Sequence, residues 1–145
     1  MTIFLDANIP MYAGGAEHQF RAPCIEVLGL AAIHPISFIT DAEVLQELLH
    51  RYSAINRWER GSAILSEFVV TMRGRIEPML ADDVEWAASL VTRHPRLSAR
   101  DAIHAAVMRR LAVTRIVTTD RGFRDLPGIE RLDPLLIEEW RASVV

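Results

Sequence analysis

Lysine is absent from this chain of 145 residues, and all 16 of its basic residues are arginine. That removes every mechanism built on a lysine amine, including a P-loop's phosphate-binding lysine and Schiff-base chemistry. Cysteine is almost absent too. Cys24 stands alone, so neither an intrachain disulfide nor a cysteine-built zinc site can form, and a small buried hydrophobe is its expected role. No apolar run approaches the roughly 20 residues that span a bilayer, and no basic segment leads into a signal-type apolar core. A cytoplasmic protein with no membrane partner is expected. No G-x-G-x-x-G follows an apolar strand, which argues against a dinucleotide-binding enzyme.

The net charge of −3 is not the strongly basic signature of a protein held on nucleic acid by bulk charge. An RNA or DNA partner would need a localised patch of arginine forks. Arginine-only usage taken alone reads as genome composition. Half of the residues are apolar, and the length suits one domain, residues 1–145, with a sizeable core.

The chain alternates between two hydrophobic periods. "TIFLD" opens it as a short apolar strand, and Asn8 to Tyr12 follows as a short helix closed by Gly14-Gly15. Residues 18 to 32 carry a helical period, "PISFIT" reads as a second strand, and helices are expected from Ala42 to Tyr52 and from Trp58 to Met72. "RIEPML" gives a third strand, Asp82 to Thr92 and Ala99 to Leu111 two more helices, "RIVTT" a fourth strand, and "IERLD" a weaker fifth before a last helix. Strands separated by helices predict an α/β fold, a three-layer α/β/α sandwich around a mostly parallel sheet.

An acid at a strand's carboxyl end stands where open α/β sheets keep their ligands. Asp6 ends the first strand; on its own, Asp-Ala-Asn is better read as turn and capping chemistry. Asp120, followed by Arg121-Gly122, repeats the pattern after "RIVTT". Glu43 and Glu47 lie one turn apart on the helix after the second strand, and Asp101 lies in the first turn of "LSARDAIHAA". Brought together, such carboxylates repel one another unless a cation joins them or their pKa values rise. Magnesium or manganese is the natural ion, since hard cations take carboxylate oxygens. Thr40 and Glu43 have capping-box spacing, so Glu43 is read as structural and Glu47 as the ligand. Ser98 and Asp101 have the same spacing, a role compatible with metal ligation. His50 and His104 read as packing residues or neighbours of the site. Asp125 and Asp133 read as solvated turn residues, with Asp125 close enough to Asp120 to be a minor candidate.

"FLDANI", "ITDAEVLQELLHRY", "SARDAIHAA" and "IVTTDRGFRD", in that order and spacing, resemble the PIN-domain nucleases, and specifically the VapC-type toxins of bacterial toxin–antitoxin pairs. The resemblance covers essentially the whole chain. It implies an α/β/α sandwich, a magnesium or manganese site at Asp6, Glu47, Asp101 and Asp120, and RNA cleavage by a metal-activated water. Asn8 and Thr118 match polar positions beside that cluster. Arg100, Arg121 and Arg124 flank the acids, where each serves equally as a phosphate contact or as solvated surface. The resemblance also implies a homodimer blocked by a small VapB-type antitoxin, whose arginine can satisfy two carboxylate oxygens in place of the metal.

Two other readings stay open at this level. The same fold can serve as a non-catalytic module that binds RNA or protein. "ELLH" and "DAIH" resemble the paired helical ligands of di-iron carboxylate proteins, although such bundles need long helices throughout.

Overall fold

The computed structural model describes residues 1–144, and the side chains of Arg124 and Asp125 lie outside the described residues. Five strands form one sheet: β1 (Ile3–Leu5), β2 (Phe38–Asp41), β3 (Ile76–Glu77), β4 (Arg115–Val117) and β5 (Glu130–Leu132). Their order is β3-β2-β1-β4-β5, and every pairing is parallel. The chain runs from β1 outward to β3 and then crosses back to β4, so the order reverses beside β1. That reversal leaves a crevice at the carboxyl ends of β1 and β4, the place such sheets use for ligands.

Helices α1 (Asn8–Ala13), α2 (Arg21–Ile33), α3 (Ala42–Ala54), α4 (Trp58–Thr71), α5 (Ala81–Arg93), α6 (Ala99–Arg110) and α7 (Ile137–Trp140) complete the fold. They pack mainly in consecutive pairs, α1 on α2, α3 on α4 and α5 on α6, and flank the sheet as an α/β/α arrangement. Ile3, Phe4 and Leu5 are all fully buried, as expected of a central parallel strand covered on both faces. Cys24 is also buried, and burial pushes its thiol up to about 12.

Close helix contact is written into one glycine. At Gly61 of α4, a Cβ would stand 2.2 Å from Tyr52 Cβ on α3; only a bare backbone permits this approach. The α5–α6 pair is clasped by Arg110, whose Nε lies 3.1 Å from the buried Asp83 Oδ1. Burial opposes the charge on Asp83, but the Arg110 guanidinium outweighs it and holds the carboxyl below its usual range.

Five expectations are corrected at element ends: the first half of "PISFIT", Pro35–Ser37, is a 3-10 turn before β2, and of "RIEPML" only Ile76–Glu77 is strand. The helix expected from residue 18 begins at Arg21, because Phe20 N donates to His18 Nδ1 (3.1 Å) in a turn before it. β4 ends at Val117 rather than running to Asp120, since Thr118 and Asp120 use their polar groups within the crevice. The last helix is a short α7 between two 3-10 turns, the first opened by Pro134 with Asp133 accepting from Leu135 N. The long helices of a di-iron bundle are replaced here by helices wrapped around a parallel sheet.

Candidate metal centre

β1 delivers Asp6 to the crevice. Its amide donates to Val117 O at 3.2 Å, extending the β1–β4 pairing by one residue. Its Oδ1 accepts from Ala7 N at 2.7 Å, and its Oδ2 accepts from Thr118 Oγ1 at 2.7 Å and Asn8 Nδ2 at 3.3 Å. Thr118 Oγ1 in turn accepts from Asn8 Nδ2 and from Asp120 N, both at 3.0 Å. Asn8 Oδ1 accepts from Thr119 N at 3.1 Å. This network ties the ends of β1 and β4 together and leaves Asp6 a single orientation, only 3% exposed.

The other acids arrive from helices and a loop. Ser98 caps α6 by accepting from Asp101 N at 3.1 Å, which places Asp101 in the first turn. A helix N-terminus favours a carboxylate there. Asp120 is exposed and accepts from Gly122 N at 2.8 Å through Oδ1. Glu47 projects from α3 with its side chain 20% exposed. Asp6, Glu47, Asp101 and Asp120 thus line one cleft of about 430 Å³, together with Asn8 and Arg100.

The expected capping box at Thr40 and Glu43 does not form. Thr40 is still in β2, where its hydroxyl donates across to Leu5 O at 3.0 Å, and Asp41 is the cap, accepting from Val44 N at 2.9 Å. That one-residue shift carries Glu43 out of the position from which a side chain can fold back to the cap. Glu43 is instead the more buried of the two glutamates, 9% exposed, with its Oε1 3.5 Å from Arg100 Nε. Burial raises its carboxyl, an effect that His104 and Arg100 oppose. Arg100 is therefore engaged within the protein, while Arg121 is exposed beside Asp120. The proposed roles of Arg124 and Asp125 fall outside the described residues. His50 is exposed.

Asp41 was missing from the expected set, while His104, expected as a packing residue or a neighbour of the site, is its partner. His104 is fully buried and Asp41 equally so, with Nδ1 and Oδ2 2.8 Å apart. The signal for Asp41 was present in "ITDAE": it too is an acid ending an apolar strand, and β2 pairs directly with β1.

The electrostatics are those of a site short of positive charge. Burial raises the Asp6 carboxyl, an effect that His104 and the Thr118 hydroxyl partly offset. Asp101 is pushed up to about 8 by burial and by the charges of Asp6 and Asp120 beside it. Burial opposes a charge on His104, but Asp41, Glu47 and Asp6 outweigh it and hold the imidazole well above its usual value. The donor set is four carboxylates and an imidazole without sulfur, and ligand atoms of Asp6, Asp101 and His104 lie within 4.8 Å of one another. Such donors fit a hard or borderline divalent cation.

The PIN domain family model matches residues 3–129. The chain belongs to the PIN-domain family. Within it, ribonuclease VapC13 of Mycobacterium tuberculosis is 43% identical over 132 residues, covering 90% of this chain and 98% of that protein. Ribonuclease VapC23 of the same species is 40% identical over 120 residues, covering 81% and 92%. Among solved structures, VapBC2 from Rickettsia felis, bound to a DNA fragment from its promoter, shares the fold with a TM-score of 0.70 at 19% identity, covering 92% of this chain and 98% of that one.

Proposed function

We propose that this chain is a VapC-type endoribonuclease, the toxin of a toxin–antitoxin pair, which hydrolyses RNA phosphodiester bonds with Mg²⁺ or Mn²⁺ held by Asp6, Glu47, Asp101 and Asp120. The observation that carries this reading is the convergence of those four acids, from β1, α3, α6 and the loop after β4, in one cleft at the carboxyl edge of the sheet. A bound divalent ion there supplies acidity to water and offsets charge on the phosphodiester.

The chain's own residues prepare that chemistry. Ala7 N and Thr118 Oγ1 fix Asp6 so that its carboxylate needs no reorientation on binding. Asp101 gives up a proton as positive charge enters the site, because the burial and repulsion that raise it are then offset. Arg121, exposed and next in sequence to Asp120, is the arginine we assign to a neighbouring phosphate. The described residues supply no activated covalent nucleophile at the cleft, which fits direct attack by water. Arg100, paired with Glu43, positions the α3–α6 wall rather than waiting free for substrate.

The partners follow the same reading: RNA as substrate, a VapB-type antitoxin as inhibitor, and a second copy of the chain as a homodimer acting in the cytoplasm. No described helix is long and apolar enough to cross a membrane. An acidic cleft suits inhibition by an arginine, whose planar fork can meet two carboxylate oxygens. The test is induced expression in cells, with RNA ends sequenced before and after and the adjacent reading frame supplied in a second culture. New RNA 5′ ends with growth arrest, both suppressed by the neighbouring product, are expected. Absence of toxicity together with absence of cleavage would favour a binding module on the same fold.

A further inference from the structure

The four-acid reading leaves the buried Asp41–His104 pair without a task. His104 lies one turn beyond Asp101 on α6, its ring 5.3 Å from that of Phe4. Asp41 Oδ2 engages Nδ1 at 2.8 Å and so fixes how the ring is turned. The other nitrogen faces the acids: Nε2 is 3.7 Å from Asp6 Oδ1 and 3.9 Å from Glu47 Oε1. Both separations exceed a hydrogen bond, and Nε2 is closed off from solvent with no hydrogen-bond partner among the described residues. An orphaned buried nitrogen is costly to leave in place.

Those distances suit donors to a common ion. Bonds of about 2.1 Å put neighbouring ligand atoms roughly 3 to 4 Å apart. We infer that His104 is itself a metal ligand, binding through Nε2 the same divalent ion as Asp6 and Asp101, with Asp41 as the carboxylate that orients the imidazole. This rests on the metal-centre reading above and adds a nitrogen to its oxygens. Metal-bound histidines commonly give their second ring N–H to a carboxylate in this way. Ligation requires Nε2 without a proton, so metal binding through it is coupled to proton release. One imidazole among carboxylates favours first-row transition ions over magnesium, so the site selects Mn²⁺ over Mg²⁺.

The experiment is pulsed electron paramagnetic resonance on the full chain loaded with Mn²⁺ alone, with ordinary and with ¹⁵N-labelled histidine, beside titrations of Mn²⁺ and Mg²⁺. A nitrogen modulation that changes with the label is expected, and His104→Gln should lose it while Mn²⁺ affinity falls about 10- to 100-fold and Mg²⁺ affinity falls less. His94 lines an adjoining cavity with Asp101 and Asp120, so His94→Gln must keep the modulation. The wild-type spectrum decides the matter even if His104→Gln does not fold. Mn²⁺ bound without nitrogen modulation, or modulation lost in His94→Gln, overturns ligation by His104 and leaves the metal centre standing. Failure of the wild type to bind Mn²⁺ overturns the metal centre and this inference together.

Discussion

Thr118 Oγ1 donates to Asp6 Oδ2 at 2.7 Å, joining two residues 112 positions apart and closing the crevice between β1 and β4. The same hydroxyl oxygen accepts from Asn8 and Asp120, so one small side chain holds both strand-end acids. Thr118→Val keeps the shape and removes all three bonds. Loss of about 1–2 kcal/mol of stability is expected, with Mn²⁺ affinity lowered about tenfold or more. Denaturant unfolding and calorimetric titration check the two effects; no change in either would show that Asp6 is held by its backbone contact alone.

Asp101 sets a pH dependence. Its folded value, about 8, lies above its ordinary 3.8, so its proton stabilises the metal-free fold fully below about pH 4, and that contribution is lost as pH rises through about 8. In chelator, Asp101→Asn should therefore gain on the wild type in melting temperature from pH 5 to pH 8. With metal the sign reverses, because binding expels the proton: Mn²⁺ affinity of the wild type should rise roughly tenfold per pH unit for each proton released and level off above pH 8. A flat affinity over that range contradicts the arrangement.

Much of this site is readable in the sequence, for a local reason. An apolar run ending in an acid identifies Asp6, and the serine three residues before Asp101 identifies its helix start, because strands and caps are written in neighbouring residues. Asp41 and His104 were harder. They meet across 63 positions, and their meeting depends on β2 lying beside β1, which no local pattern encodes. Thr40 misled for a related reason. Its hydroxyl is spent on Leu5 O in the next strand, a tertiary contact that moved the cap of α3 by one residue and turned Glu43 from a capping group into a buried partner of Arg100.

That correction leaves a sharper contrast between the two glutamates. Glu47→Gln removes a carboxylate from the cleft and should lower metal affinity and RNA cleavage together. Glu43→Gln should retain most cleavage, since its side chain faces Arg100, and change stability by no more than about 1 kcal/mol, because the Arg100 side chain, 36% exposed, keeps its hydration when the partner's charge is removed. Parallel titration and cleavage assays decide it, and the reverse ranking would move the metal site toward Glu43.

Gly61 tests the packing. A methyl group placed 2.2 Å from Tyr52 Cβ must push α3 away from α4, so Gly61→Ala should cost about 1–3 kcal/mol or more. Glu47 rides on α3, and its loss of position should weaken metal binding as well. Thermal unfolding with and without Mn²⁺ separates the two consequences; a variant as stable as the wild type would show that the helices separate easily.

The most direct test of the central claim is cleavage of RNA by the purified chain, with product ends mapped, in Mg²⁺, in Mn²⁺ and in excess chelator, beside Asp6→Asn and Asp120→Asn. The account predicts cleavage only with a divalent ion, products bearing 5′-phosphate and 3′-hydroxyl, and no cleavage by either folded variant. Cleavage in chelator, cyclic phosphate at the new 3′ ends, or full activity in Asp6→Asn would contradict it.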